Sequence, residues 1–190
     1  MSATHTRNIL KVYRRATDAQ VIAGKEWYSE AHALALELSP NDVWRGAGVI
    51  AAFSPLTPWW RNVELATDSL TTGRARTDTL GNSSRAAQRI IDGEHPLDVL
   101  KGIKTRTFAE NIARNGISDS VTVDVHAFSI AVGKPVPSSK LKMGKRLYLE
   151  IAGSYSNAAK REDISPTQMQ AITWLVWRDE NYKRAARKGE

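Results

Sequence analysis

Apolar residues recur along this chain at helical spacing. Ile9, Val12 and Tyr13 form one short face, and Val21, Ile22, Trp27, Ala31, Leu34 and Leu38 form a longer one. No segment alternates polar and apolar residues over the length of a strand, so the pattern predicts an all-α protein. Three hydroxyl–proline pairs read as helix starts, each a small cap followed by proline at the first helical position. Ser39-Pro40 predicts a helix ending near Phe53, Thr57-Pro58 one reaching about Leu70, and Ser165-Pro166 the last. The polar, glycine-bounded stretch from Gly73 to Asn82 predicts a loop, with a short helix from Ser84 to Asp92 after it. Gly133 to Lys140, with two prolines and two serines, predicts a second long loop.

Between those loops, Leu100 to Gly133 holds the candidate chemistry. The loop L-K-G-I-K-T opens the helix T-R-T-F-A-E-N-I-A-R, and V-T-V-D-V-H-A-F-S-I-A-V-G follows. After Gly102, the backbone N–H groups of Ile103, Lys104, Thr105, Arg106 and Thr107 would point out of a helix start. Unpaired donors and the positive end of the helix dipole favour a phosphate there, and Lys101 and Lys104 would add charge. An ordinary helix capped by Thr105, with solvated lysines, fits the same letters.

Asp124 stands at the head of an apolar helix and suits an N-cap. Its lead-in of Val121, Thr122 and Val123 would carry the carboxylate through buried structure to the helix mouth, where it would also be placed for acid–base or electrostatic work. His126, two positions on, does not share that helical face and reads as a packing or supporting residue. Trp59 and Trp60 follow Ser54-Pro55, where a ring would stack on an extruded base or fill the gap it leaves, or else pack in the core. Arg61 is the adjacent candidate for a phosphate contact. Trp27, Trp44, Trp174 and Trp177 fall at core-compatible spacing.

Composition narrows the classes. At 190 residues the chain is one ordinary domain or two lobes sharing a core. It contains no cysteine, which excludes disulfides, thiolate zinc sites, iron–sulfur clusters and cysteine nucleophiles. Its four histidines are scattered without metal-ligand spacing. No apolar run is long enough to span a bilayer and none reads as a signal peptide, so a cytoplasmic protein with no membrane partner is expected.

A net charge of +7 favours an anionic partner if the charges cluster. Lys101, Lys104, Arg106 and Arg114 crowd the loop and helix just described, and Lys134, Lys140, Lys142, Lys145 and Arg146 follow the carboxylate. The run Lys183, Arg184, Arg187 and Lys188 reads as a solvated end.

Four pieces of the chain together resemble the helix-hairpin-helix (HhH-GPD) base-excision DNA glycosylases, the superfamily of endonuclease III. They are V-I-A-A-F-S-P-L-T-P-W-W-R-N-V-E-L-A at 49–66, L-K-G-I-K-T-R-T-F-A at 100–109, V-T-V-D-V-H-A-F-S-I-A-V-G at 121–133, and the closing Q-M-Q-A-I-T-W-L-V-W-R. The last is also similar to glycosylase-like phage proteins.

The resemblance implies a two-lobed helical fold without an iron–sulfur cluster. One lobe would take in about 43–133, with the hairpin near 98–114, and the second about 1–42 and 134–182. It further implies a monomer, double-stranded DNA as partner, no cofactor, and Asp124 as the catalytic carboxylate. Asp124 follows Arg106 by eighteen residues, the family interval from its catalytic lysine, so Arg106 takes the lysine position. An arginine guanidinium stays charged and cannot serve as an amine nucleophile, so no lyase activity is expected. The second turn glycine of the family hairpin is Lys104 here, which implies a strained or altered loop.

The favoured function is a monofunctional glycosylase that flips a base and hydrolyses its N-glycosidic bond. Alternatives are a phage enzyme of the same fold that modifies a 5-substituted thymine base, a catalytically silent DNA-binding module, and a phage factor that binds a host protein.

Overall fold

The computed structural model describes residues 2–186, with the backbone alone for 182–186. Among the described residues the protein is all-helical, with ten α-helices, one short 3-10 helix and no strand. The chain forms two compact units. Unit 2 is Ser29–Gly116, and unit 1 combines the residues up to Tyr28 with those from Ile117 on. The boundaries therefore fall at 28/29 and 116/117 rather than near 43 and 133. The reason is that the helix after Asp124 packs on helices from both ends of the chain.

Unit 1 contains α1 (Ala3–Tyr13), the first part of α2 (Asp18–Leu38), α8 (Val125–Val132), α9 (Lys145–Arg161) and α10 (Pro166–Ala186). α1 lies against α8, α9 and α10, and Ile9, Leu10 and Val12 of α1 are buried, as are Ile130, Ile151, Tyr155, Met169 and Ile172 of those helices. α10 starts as Ser165-Pro166 predicts. Ser165 Oγ accepts the Gln168 N–H at 3.1 Å while Gln168 Oε1 accepts the Ser165 N–H at 3.1 Å, a reciprocal cap. α8 stops at Gly133, whose φ of 77° is a left-handed conformation that glycine adopts without steric cost.

Unit 2 contains the rest of α2, α3 (Val43–Phe53), α4 (Trp59–Thr72), α5 (Gly81–Ile91), the single turn α6 (Pro96–Val99) and α7 (Ile103–Ala113). α3 is the hub: Gly46 through Phe53 are all buried, and α4, α5, α6 and α7 surround it. Small residues let its neighbours approach. A Cβ on Gly46 would lie 2.2 Å from the Ala35 carbonyl oxygen, so α3 meets α2 backbone to backbone there.

Two predicted helix starts move. Ser39-Pro40 lies in a turn closed by the Asp42 N–H bonding to the Ser39 carbonyl, and α3 begins at Val43, where the Asp42 side chain caps the Arg45 N–H at 3.1 Å. The carboxylate displaces the hydroxyl as cap because it stands directly before the first helical residue. Thr57 does not cap α4 either. Its hydroxyl donates to the Pro55 carbonyl at 3.1 Å and Pro58 occupies the cap position.

The long apolar face of α2 is also shifted. Ile22 is 59% exposed, and the buried residues of α2 are Gly24, Tyr28, Ala31 and Ala35. Of the tryptophans expected in the core, Trp177 is buried, whereas Trp27, Trp44 and Trp174 are half-exposed. Trp27 meets Trp174 edge-on, with ring centroids 6.3 Å apart. The side chains of the basic run Lys183 to Lys188 lie outside the described residues.

Candidate functional site

Asp124 sits where the sequence expects it, at the N-cap of α8, with Oδ1 accepting the Ala127 N–H at 2.7 Å. Its side chain is half-exposed, and the lead-in Val121, Thr122 and Val123 is buried and has no regular secondary structure. A buried segment outside helices and sheets must find partners for its backbone groups. Here side chains provide them. Tyr148 Oη accepts the Val123 N–H at 3.0 Å and donates to the Val121 carbonyl at 2.8 Å, closing both sides of Thr122. Tyr28 Oη lies 3.2 Å from Thr122 Oγ1 and 3.1 Å from Gln170 Oε1.

A third tyrosine completes the cradle from the helix side. Tyr155 is fully buried, and its Oη donates to the Ala127 carbonyl at 3.2 Å, so Ala127 is held at its N–H by Asp124 and at its carbonyl by Tyr155. Burial pushes the Tyr155 phenol well above its ordinary range, a hydrogen bond with Thr173 opposes this, and the nearby Asp124 charge adds to the rise. The phenol therefore remains a donor throughout the neutral range. Sequence reading missed Tyr28, Tyr148 and Tyr155. The only signal was polar-tipped aromatics on otherwise apolar helix faces, which does not say which backbone they reach.

His126 follows at the second position of α8 and is half-exposed. Among the described residues no group of three or more His, Asp or Glu side chains is placed to hold a metal ion. The site consists of a rigidly held carboxylate on a helix mouth. Its second oxygen makes no hydrogen bond to the protein among the described residues, leaving it for a ligand or water.

The predicted hairpin belongs to unit 2, where α6 and α7 flank the loop at Leu100 to Gly102. Gly102 caps α7 in an extended conformation, φ −75°, so no left-handed glycine turn is used. Lys104 is a helical residue of α7 with ordinary dihedrals, and the strain expected from its replacing a glycine is absent. Thr105 does not cap the helix, since its hydroxyl donates to the Gly102 carbonyl at 3.0 Å and α7 has no side-chain cap.

The cations around the hairpin turn inward. Lys101 Nζ donates to the Asp98 carbonyl at 2.6 Å, and Arg106 Nη1 donates to the carbonyls of Leu97 and Leu100, so both close the C-terminal end of α6. Arg114 pairs with Glu110 at the far end of α7, away from the loop. Ile103 and Thr107 are half-exposed residues of the first turns of α7.

Trp59 and Trp60 open α4 and divide as two consecutive helical residues must. Trp60 is 70% exposed, and Trp59 is half-buried. Leu56, in the preceding loop, is 79% exposed at a φ of 57°, a conformation that disfavours leucine. Arg61 is held by Glu64 at 2.6 Å and by Asp78, and these carboxylates raise its affinity for its proton. Asp78 also accepts from Arg76, which lowers its carboxyl to about 2, and Arg76 reaches Asp68 as well. Together these pairs fasten the loop after Gly73 to α4, and Arg61 enters any ligand contact already neutralised.

Residues 1–181 match a family described as a family of unknown function, DUF7178. The chain belongs to that family. No curated protein and no solved structure matches it.

Proposed function

We propose that this member of the family is a helix-hairpin-helix glycosylase-like enzyme that acts as a monomer on duplex DNA in the cytoplasm. It turns a base out of the helix and hydrolyses its N-glycosidic bond, with Asp124 as the acting carboxylate. The observation that supports this reading most is the holding of Asp124. A half-exposed carboxylate has one oxygen fixed by Ala127, at the end of a buried segment fixed by Tyr148 and Tyr28.

Such a group serves a reaction in which the C1′–N bond breaks and positive charge grows on the sugar. The carboxylate stabilises that charge and orients the water that adds to C1′, while the base leaves with a proton. Uncapped N–H groups at the start of α7 and the exposed ring of Trp60 supply a phosphate contact and a stacking surface in unit 2.

The test is incubation with duplexes carrying normal, damaged and 5-substituted pyrimidines, with mass analysis of released bases and of strands. Wild-type protein releases a free base, and Asp124→Asn lowers that release at least about 100-fold while keeping the fold. Modified bases that stay in the strand would replace excision by base modification. No change in any duplex, or full activity in Asp124→Asn, overturns the reading.

A further inference from the structure

The charge of this protein is divided very unequally between its units. Unit 2, hairpin included, holds ten basic and ten acidic residues and is formally neutral, while unit 1 holds 17 basic and 10 acidic residues and carries the whole +7. In unit 2 Arg61, Arg76, Arg89 and Arg114 are paired with carboxylates, and Lys101 and Arg106 are engaged by backbone carbonyls.

In unit 1 much of the excess collects in one stretch. No acidic residue occurs between Asp124 and Glu150, and that interval contains Lys134, Lys140, Lys142, Lys145 and Arg146. All five are exposed, and none has an ion pair among the described residues. The stretch is anchored at its root, where the Val136 N–H donates to Ser129 Oγ at 3.0 Å and the Lys134 N–H to the Ser129 carbonyl at 3.1 Å. Exposed Ser138 and Ser139 stand among the cations on a short 3-10 helix.

We infer that the stretch from Lys134 to Arg146, the loop after α8 together with the first two residues of α9, is the surface through which unit 1 grips the phosphate backbone of duplex DNA. The inference rests on DNA as the partner in the proposed function, and not on excision of a base. Unpaired cations on an anchored loop, with hydroxyls between them, match a row of phosphates, which they neutralise with release of counterions. A lipid surface is disfavoured, because Val136, Leu141 and Met143 are only half-exposed and offer no broad apolar face to enter a bilayer. The loop also leads directly from α8, so the grip lies on the chain segment that follows Asp124.

The experiment is binding of a labelled duplex by fluorescence anisotropy over a range of salt, with circular dichroism melts of each variant. Lys140→Gln/Lys142→Gln/Lys145→Gln should weaken binding at least about tenfold and make the slope of log affinity against log salt shallower by about 2 to 3. A control with the same charge loss elsewhere on unit 1, Arg7→Gln/Lys11→Gln/Lys25→Gln, should change affinity less than about threefold. Lys134→Gln/Arg146→Gln is the second loop variant, should the triple melt early.

Equal losses in loop and control variants would make the attraction diffuse and overturn the assignment, as would loop variants that bind like wild type. Loop-dependent binding to phosphatidylserine vesicles with no binding to duplex would also overturn it. Wild-type protein that binds no duplex ends both this inference and the proposed function. Loop-dependent binding without base release ends only the latter.

Discussion

Tyr148 takes the place of a neighbouring strand beside Val123, accepting its N–H at 3.0 Å and giving its own proton to the Val121 carbonyl at 2.8 Å. Tyr148→Phe would leave two buried backbone groups without partners, at a cost of about 2–4 kcal/mol. Urea unfolding measures this, and a variant as stable as wild type would show that water reaches the segment.

The cap that Asp124 provides and the catalytic role proposed for it can be separated by substitution. Asparagine caps nearly as well as aspartate, so Asp124→Asn should melt within a degree or so of wild type, whereas Asp124→Ala should lose about 1 kcal/mol. If base release falls equally in both variants while only the alanine form is destabilised, chemistry and capping are separate functions of one side chain. Equal stability of the two variants would remove the cap.

Tyr155 makes the fold sensitive to alkali. Its folded-state phenol is raised above the ordinary value near 10. The linked stability is therefore fully present below about pH 10 and is lost as pH rises from there. Denaturation curves across that range should fall steeply for wild type. Tyr155→Phe should start lower, having lost the bond to Ala127, but decline less. Parallel curves would show that the phenol is not the group responsible.

Gly46 tests the packing of unit 2. A Cβ there would sit 2.2 Å from the Ala35 oxygen, a backbone atom that cannot swing aside, so Gly46→Ala should cost about 3 kcal/mol or more. A melting temperature close to wild type would mean that α2 and α3 slide apart cheaply.

Excision, where it occurs, should leave an intact abasic strand. In the proposed glycosylase reading Arg106 takes the position of the glycosylases' catalytic lysine, and a charged guanidinium forms no Schiff base. Borohydride should trap no adduct on abasic DNA. A trapped species that vanishes in Lys104→Ala would give that lysine the nucleophile's role.

The helical nature of the chain was legible because apolar spacing is a local property, and so were the caps at Ser165 and Asp124, whose partners lie three residues away. The Ser39-Pro40 start was misread because Asp42 offered a closer acceptor. What holds the Asp124 segment was not legible. Tyr148 lies 25 residues from Val123 and Tyr155 lies 28 from Ala127, and nothing in either tyrosine's neighbourhood names its acceptor. The hairpin cations look alike as letters, yet Lys101 and Arg106 bend to carbonyls at the end of α6 while Arg114 pairs with Glu110 one turn back.

The two units also differ in when they can form. Unit 2 is one continuous stretch of 88 residues, whereas unit 1 joins segments that this stretch separates. During synthesis α3 can gather its neighbours as soon as Gly116 has left the ribosome, while α1 must wait for α8, α9 and α10. Closing that long separation costs entropy before its contacts repay it, so unit 1 should form the slow phase of refolding. The segment that carries Asp124 is then fully held only when the last helix docks, since Tyr28 bridges Thr122 to Gln170 on α10.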